Sequence, residues 1–267
     1  MTPSFIAFLT DYGLADGYVA ACHGVIARIA PSARVIDVTH DVPAQDVRHG
    51  AVVLADTLPY LPPSVLLGVV DPEVGTERRA VAVVAGEFVL VGPDNGLLLW
   101  AADAAGGASR AVELTAAEYR LTTGATTFDG RDVFAPAAAH LAAGLDVGAL
   151  GPSVDPASLV RLADPWLRVG AESVEAEVHV VDRFGNAALA AGAAELAAAG
   201  LDEHARLRVT VGDRSSYVPL ASSYAAVPEG EPVLIVDSAG RLALAVNRGS
   251  AAADLRLRVG ERVTVSS

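Results

Sequence analysis

Cysteine is almost absent from this chain, which has a single one, Cys22, in 267 residues. An internal disulfide needs two cysteines and a cysteine-based zinc site needs several, so the sequence excludes both. Basic residues are also scarce, because 19 Lys and Arg stand against 32 Asp and Glu for a formal net charge of −13. Nucleic acids and anionic membranes repel an acidic surface, and we expect neither as a partner.

Long apolar runs are missing as well. No stretch approaches the roughly 20 apolar residues that a membrane-spanning helix needs. The amino-terminal segment shows no basic region followed by a long apolar one, so we expect no signal peptide. These absences predict a soluble, cytoplasmic protein whose 267 residues suffice for one large or two ordinary domains.

Three common functional motifs are also missing. The first predicted strand is not followed by Gly-x-Gly-x-x-Gly, and the chain contains neither a P-loop motif nor Gly-x-Ser-x-Gly. These absences disfavour a dinucleotide-binding fold, a P-loop enzyme and a serine hydrolase. The six histidines lack the i, i+4 spacing of a helical metal pair, and we predict no metal site.

The first half of the chain alternates between predicted strands and helices. Apolar runs and turn residues predict strands at 5–9, 34–39 and 65–70 and helices at 18–29 and 46–58. Such alternation is typical of an α/β domain with a mainly parallel central sheet flanked by helices. A hairpin at 80–91, helix or strand at 97–102, a surface loop at 103–108 and a helix at 133–143 follow.

The pattern changes after a Pro-bearing segment. Residues beyond about 170 form short alternating runs separated by turn residues, which predicts a small all-β barrel or sandwich. A short helix is expected within the alanine-rich residues 187–199. We therefore predict an amino-terminal domain over 1–160, a linker at about 151–170 and a carboxy-terminal domain over 170–267.

Polar loops follow many of the predicted strands. Asp71 ends a buried apolar run and is followed by Arg78, at a place where open α/β sheets bind ligands. A surface Asp–Arg pair in a polar loop is the simpler interpretation of this spacing alone. Asp and Asn are ordinary turn formers, so each such loop is a weak signal, whereas five of them together are more than chance turns.

Taken in order, these loops resemble the S-adenosylmethionine (SAM) hydroxide adenosyltransferases, the superfamily that includes the fluorinating and chlorinating enzymes. The resemblance spans nearly the entire chain. The matching segments are residues 8–16, 37–40, 70–79, 92–97, 127–136, 182–186, 237–242 and 246–251.

The resemblance implies an α/β domain followed by a β-barrel domain in a homotrimer, with sites at subunit interfaces. It also implies attack of water on the ribose 5′ carbon of SAM, which gives adenosine and L-methionine without a cofactor or metal. Asp71 and Arg78 match two members of the family's Asp–Arg–His set, and Asp129 stands where the histidine is usual. The implied substrate-binding positions are Asp11, Asp16, Asn95, Phe128, Asp182, Phe184, Asn186, Ser238, Val246 and Ala252.

Within that resemblance Asp11 binds the ribose hydroxyls and Asp16 supports its loop. Asp182 and Ser238 hold the methionine part, while Asn186 bonds adenine. Phe184 is a candidate aromatic wall, and the backbone around residues 246–252 completes the adenine pocket.

Chemistry favours hydrolysis among the family's reactions. Asp71 is the candidate base or water-orienting group, and Arg78 would keep it ionised. Asp129 either shares the water or only caps the helix that follows it. Two carboxylates repel a halide, so a SAM-dependent halogenase is disfavoured, while a non-catalytic SAM- or adenosine-binding protein remains the alternative.

Overall fold

The computed structural model describes residues 4–124 and 126–267. Residues 1–3, which belong to the segment from which the lack of a signal peptide was predicted, lie outside the described part. The chain divides into two compact units, Met1–Leu162 and Ala163–Ser267. This division falls inside the predicted linker.

In the described residues the first unit is a seven-stranded sheet with helices packed on it. Its strands are β1 (Phe5–Thr10), β2 (Arg34–Thr39), β3 (Val65–Val69), β4 (Ala80–Ala85), β5 (Phe88–Pro93), β6 (Ala108–Glu113) and β7 (Ser153–Val154). Its α-helices are α1 (Tyr18–Ile29), α2 (Val47–Thr57), α3 (Leu99–Ala104) and α4 (Ala135–Ala142). A π-helical turn, Gly130–Phe134, leads directly into α4.

The sheet has the order β2-β1-β3-β5-β4-β6-β7. Strands β2, β1, β3 and β5 run parallel, and β4, β6 and β7 add antiparallel pairs. The α/β class is therefore confirmed in the form of a mixed sheet. The antiparallel part begins at the tight turn between β4 and β5, which allows no room for a crossover helix.

Alternation along β1 explains why helices cover both faces of this sheet. Ile6 and Phe8 pack into a core shared with α1 and α4, whereas Ala7 and Leu9 pack into the opposite core with α2 and α3. Successive strand side chains point to opposite faces, so an entirely apolar strand must be buried on both. This layering fixes the ends of β1 and β3, where the polar loops begin.

The second unit is an antiparallel, nearly closed barrel. Its strands are β8 (Leu167–Gly170), β9 (Ser173–Val181), β10 (Ala187–Gly192), β11 (Arg206–Val211), β12 (Arg214–Pro219), β13 (Pro232–Val236), β14 (Arg241–Val246) and β15 (Arg262–Ser266). They follow the order β12-β11-β15-β9-β10-β14-β13, with β8 paired to β9. A bridge between Leu220, directly after β12, and Leu234 of β13 brings the two edge strands of the sheet together. Of the predicted barrel and sandwich, the barrel is therefore confirmed.

Two short helices complete this unit, α5 (Ala193–Ala198) and α6 (Ala251–Asp254). The predicted helix within the alanine-rich segment is α5, and β10 occupies the residues before it. None of the helices in the described residues has the length and apolar character that crossing a bilayer requires.

Candidate active site

A cavity of about 380 Å³ opens at the carboxyl ends of β1 and β3. Because β1, β2 and β3 are parallel, the loops that follow them meet at one edge of the sheet. The loop before α4 closes the remaining side. The lining residues are Asp11, Tyr12, Tyr18, Ala44, Gln45, Asp71, Pro72, Val74, Thr127, Phe128, Asp129 and Gly130.

Asp71 and Arg78 form a buried, two-pronged ion pair beside this cavity. Arg78 Nε donates to Asp71 Oδ1 at 2.9 Å, and Arg78 Nη2 donates to Asp71 Oδ2 at 2.5 Å. The Arg78 side chain is only 7% exposed, and that of Asp71 only 6%. A bidentate guanidinium–carboxylate contact fixes the plane of the carboxylate as well as its position. The simpler interpretation, a solvated surface pair, is therefore wrong.

Asp129 completes the set from a distant part of the sequence. Arg78 Nη2 also donates to Asp129 Oδ2 at 2.5 Å, so a single guanidinium bridges two carboxylates. The Asp129 side chain is 23% exposed, which makes it the more solvent-accessible of the two acids. Among the described residues it makes no capping hydrogen bond to the helical turn that follows, and the helix-cap interpretation fails.

The charge state of Arg78 follows from these contacts. Burial alone would lower the pKa of Arg78, but the hydrogen bonds and charge of Asp71, followed by those of Asp129, outweigh it and raise the pKa above its ordinary value. Arg78 therefore stays cationic at any physiological pH. Its guanidinium also lies 5.1 Å from the centroid of the Phe134 ring, which limits its movement.

Tyr12 contributes a neutral phenol to the same cavity. Burial raises the pKa of Tyr12 above its ordinary value, and the negative charges of Asp11, Asp71 and Asp129 contribute further. The group can thus serve as a hydrogen-bond donor but not as a base. A Cβ atom at Gly130 would lie 2.1 Å from the Tyr12 hydroxyl oxygen, so a glycine is required where this loop passes the phenol.

The loop that carries Phe128 and Asp129 is held by a buried carboxylate, Asp132. Arg131 Nε and Thr123 Oγ1 donate to Asp132, each at 2.7 Å. Burial alone would raise the pKa of Asp132, but these contacts outweigh it and lower the pKa. Edge-on contacts of Phe128 with the cavity tyrosines then set the position of the aromatic wall.

Asp11 occupies the β1 end of the cavity. Its Oδ2 accepts the backbone N–H of Gln45 at 2.8 Å, and Gln45 has the left-handed φ of 67° that few residues with side chains adopt. The contact joins the loops after β1 and β2. It also positions the Asp11 carboxylate toward the cavity that both residues line.

The second unit presents its own polar loop between β9 and β10. Asp182 Oδ1 accepts the backbone N–H groups of Phe184 at 2.8 Å and Asn186 at 2.9 Å. Its Oδ2 accepts from Asn186 Nδ2 at 2.7 Å. The Ala252 N–H donates to the Gly185 carbonyl at 2.9 Å, so the loop is tied to α6. The structure thereby brings Asp182, Phe184, Asn186 and Ala252 together.

Two family models match this chain. The SAM hydroxide adenosyltransferase N-terminal domain matches residues 6–151, and the C-terminal domain of that family matches residues 176–264. The chain belongs to the SAM hydroxide adenosyltransferase family. The predicted family is thus confirmed across both units.

Similar proteins agree with this assignment. An (R)-S-adenosyl-L-methionine hydrolase of Salinispora arenicola is 51% identical over 98% of both chains. One of Thermus thermophilus is 45% identical over 96% of both, whereas a fluorinase of Actinopolyspora mzabensis is 28% identical over 98% of this chain and 96% of its own. The crystal structure of an uncharacterized conserved protein from Thermotoga maritima has a TM-score of 0.91 at 36% identity, over 98% of this chain and 100% of its own.

Among the predicted substrate-binding residues of the first unit, Asp11 and Phe128 line the cavity, whereas Asp16 and Asn95 lie outside its lining. Asp16 is exposed in the loop before α1. Asn95 donates to the Val70 carbonyl at 2.9 Å and accepts from the Leu97 N–H at 3.2 Å, so it holds the end of β3. Both positions are compatible with support of the site rather than contact within the cavity.

The remaining predicted positions differ in their exposure. Phe184 is 71% exposed and Ser238 is also exposed, whereas Val246 is only 5% exposed at the end of β14. The turn that carries Ser238 is fixed because Asp237 Oδ1 accepts from the Ala239 and Arg241 N–H groups, each at 2.9 Å.

Sequence reasoning did not assign a role to Tyr12, Gln45 or Tyr224. Tyr12 follows Asp11 inside a matched segment, which was the available signal. Gln45 lies in no matched segment. Burial raises the pKa of Tyr224, and the negative charges of Asp182 and Asp237 raise it further. The phenol therefore lies near the β9–β10 loop and near the turn that carries Ser238. No sequence pattern marks that tyrosine.

Proposed function

We propose that this protein hydrolyses SAM at the ribose 5′ carbon and releases adenosine and L-methionine. The observation that carries the proposal is the buried Asp71–Arg78–Asp129 set beside the cavity, in a chain 45–51% identical to named hydrolases. The names of those relatives specify the (R) form of SAM, and we extend that preference to this chain.

The chemistry needs one positioned water molecule. Its oxygen forms a bond to C5′ while the C5′–S bond breaks, and the sulfonium leaves as neutral methionine thioether. No general acid is required because the leaving group takes no proton. In-line positioning of the water can contribute about 7–11 kcal/mol to lowering the barrier.

Asp71 is the group that orients the water and accepts its proton. Both of its oxygens accept from Arg78, yet each carboxylate oxygen has a second lone pair available for a water molecule. The attacking water becomes strongly acidic as its bond to carbon forms, so a carboxylate held by an arginine suffices to accept the proton. Asp129 holds the other side of Arg78 and faces the same cavity.

Electrostatics favour water over a halide in this cavity. The lining contains the carboxylates of Asp11, Asp71 and Asp129, and the adjoining Arg78 is a single cation. An anionic nucleophile would meet net repulsion of a few kcal/mol even at an effective dielectric near 20. The same arrangement attracts the cationic sulfonium of SAM.

In this proposal residues of both units recognise the substrate. Asp11 binds the ribose hydroxyls, Asp182 and Ser238 bind the methionine amino and carboxylate groups, and Asn186 bonds adenine. These roles rest on the family resemblance. So does the homotrimer, in which neighbouring subunits complete each site. The proposed reaction uses no cofactor and no metal.

Incubation of the purified protein with each SAM epimer, followed by chromatography, tests the proposal. Adenosine and methionine should appear in equal amounts from (R)-SAM and much more slowly from (S)-SAM. Binding of SAM without any adenosine would instead establish the non-catalytic alternative. Formation of adenosine from (S)-SAM at an equal rate would refute the epimer preference alone.

A further inference from the structure

Three side chains with metal-binding atoms converge at the edge of the first sheet. His23 lies on α1, Asp37 on β2 and His40 directly after β2. Asp37 Oδ1 lies 2.9 Å from His23 Nε2 and 3.1 Å from His40 Nε2. One ligand atom from each residue falls within 4.8 Å of the others. None of the three lines the cavity around Asp71.

The Nε2 atom of His40 is a buried polar atom whose environment favours a ligand. The His40 side chain is only 4% exposed. Its Nε2 approaches Asp37 outside hydrogen-bonding geometry, and this nitrogen has no hydrogen-bond partner in the described part of the chain. A buried polar atom without a partner is destabilising, and a ligand at this point would remove that cost.

The other ring nitrogen of His40 is already held. His40 Nδ1 lies 2.9 Å from the hydroxyl of Thr10, which is fully buried at the end of β1. Metal-binding histidines commonly have the second nitrogen fixed in this way, which leaves the Nε2 lone pair free for an ion. The Phe8 ring packs against both imidazoles, at 4.8 Å from His40 and 5.7 Å from His23 between ring centroids.

Two imidazole nitrogens and one carboxylate oxygen select the type of metal. Mg²⁺ and Ca²⁺ prefer oxygen ligands, whereas Zn²⁺, Co²⁺ and Ni²⁺ favour imidazole. Ligand atoms around tetrahedral zinc are about 3.3 Å apart at its usual bond lengths. The two distances of 2.9 and 3.1 Å therefore need to widen by only a few tenths of an ångström.

We propose that His23, Asp37 and His40 bind one divalent first-row transition-metal ion per chain, and that water completes its coordination. Solvent reaches the site because the His23 and Asp37 side chains are 34% and 46% exposed. The ion fastens α1 to the edge strand β2. It takes no part in SAM hydrolysis, so the proposal stands apart from the proposed reaction.

Calorimetric titration of chelator-treated protein with Zn²⁺ tests this site. The unaltered chain should bind one Zn²⁺ and gain thermal stability with increasing metal concentration. Loss of an outer-shell partner already costs about 10–100-fold in affinity, so His23→Ala and Asp37→Asn should each lose roughly 100-fold or more. His204→Ala is the matched control, since His204 is exposed in the other unit and its loss should leave binding unchanged.

Cobalt provides an independent readout on the same variants. Co²⁺ bound by nitrogen and oxygen should give visible absorption bands in the unaltered chain and in His204→Ala, but not in His23→Ala or Asp37→Asn. Absence of Zn²⁺ binding by the unaltered chain would overturn the proposal and leave a metal-free polar cluster only. Equal affinity in all four proteins would also overturn it, because the ion would then bind elsewhere.

Discussion

The cavity of the first unit and the β9–β10 loop of the second hold their central carboxylates in opposite ways. Asp71 is 6% exposed and accepts from a cation, whereas the Asp182 loop is exposed and its carboxylate accepts neutral N–H groups of its own turn. A buried, charge-paired acid is fixed for chemistry on a small molecule such as water. A locally folded, solvated loop is suited to recognising polar groups of a ligand. In the proposed function the Asp71–Arg78–Asp129 set serves the reaction, whereas the β9–β10 loop serves recognition together with Asp11 in the cavity.

The largest effect should come from Asp71→Asn. The substitution keeps the size of the side chain and one acceptor but removes the charge, so turnover of SAM should fall by roughly 100-fold or more. Calorimetry should show nearly unchanged SAM binding, because the contact is to water. Wild-type turnover in this variant would remove Asp71 from the reaction and erase the distinction between the two regions.

Asp129 should give the next largest effect. A positioned general base typically contributes roughly 10²–10⁴-fold, and Asp129 is the secondary carboxylate at the water, so Asp129→Ala should lower turnover by about 10-fold or more but less than Asp71→Asn does. The melting temperature should change little, because Arg78 keeps its bidentate contact with Asp71. Asp129→His should retain more activity than Asp129→Ala if the position faces the nucleophile. Lost stability with normal turnover would instead indicate a structural residue.

The recognition residues should separate by ligand. Asp182→Ala should weaken the binding of SAM and of methionine by roughly 10-fold or more, because a charge-assisted contact with the methionine amino group is lost. The binding of adenosine should weaken much less. Asp11→Ala should weaken SAM and adenosine alike, because both carry the ribose hydroxyls. Calorimetry with the three ligands measures this pattern. Equal losses for every ligand in both variants would contradict the assigned roles.

The smallest effect concerns packing alone. A methyl group at position 130 would overlap the Tyr12 hydroxyl, and overpacking typically costs about 1–3 kcal/mol, so Gly130→Ala should lower stability to urea by that amount. Removal of the hydroxyl in the double variant with Tyr12→Phe should restore part of it. An additive double variant would show that the two residues do not touch.

Much of the first unit could be predicted from local signals. Helix α1 and strand β2 have the predicted bounds, because Gly17 and Pro31 mark both ends of the helix. The sequence predicts a surface loop up to Ala108 and no element over the rest of strand β6, since these residues show neither apolar alternation nor a β-branched run. Strand β8 lies in the predicted linker, and only its pairing with β9 makes it a strand.

The site was predictable only as separate pieces. Motifs indicated Asp71, Arg78 and Asp129, but 51 residues separate Arg78 from Asp129, and no local pattern predicts their contact. The partners of Asp11 and the position of Tyr224 likewise depend on tertiary packing. His23, Asp37 and His40 have no sequence spacing of a metal pair and converge only through the pairing of β1 with β2.

Hydrolysis of SAM in H₂¹⁸O under single-turnover conditions tests the central claim most directly. Attack of water at C5′ predicts one ¹⁸O atom in each adenosine, at the 5′ oxygen, and none in methionine. Asp71→Asn should give the same label at a much lower rate, because the substitution changes how the water is held and not which bond it forms. Unlabelled adenosine, or label in a fragment of the methionine chain, would contradict attack by water at this carbon.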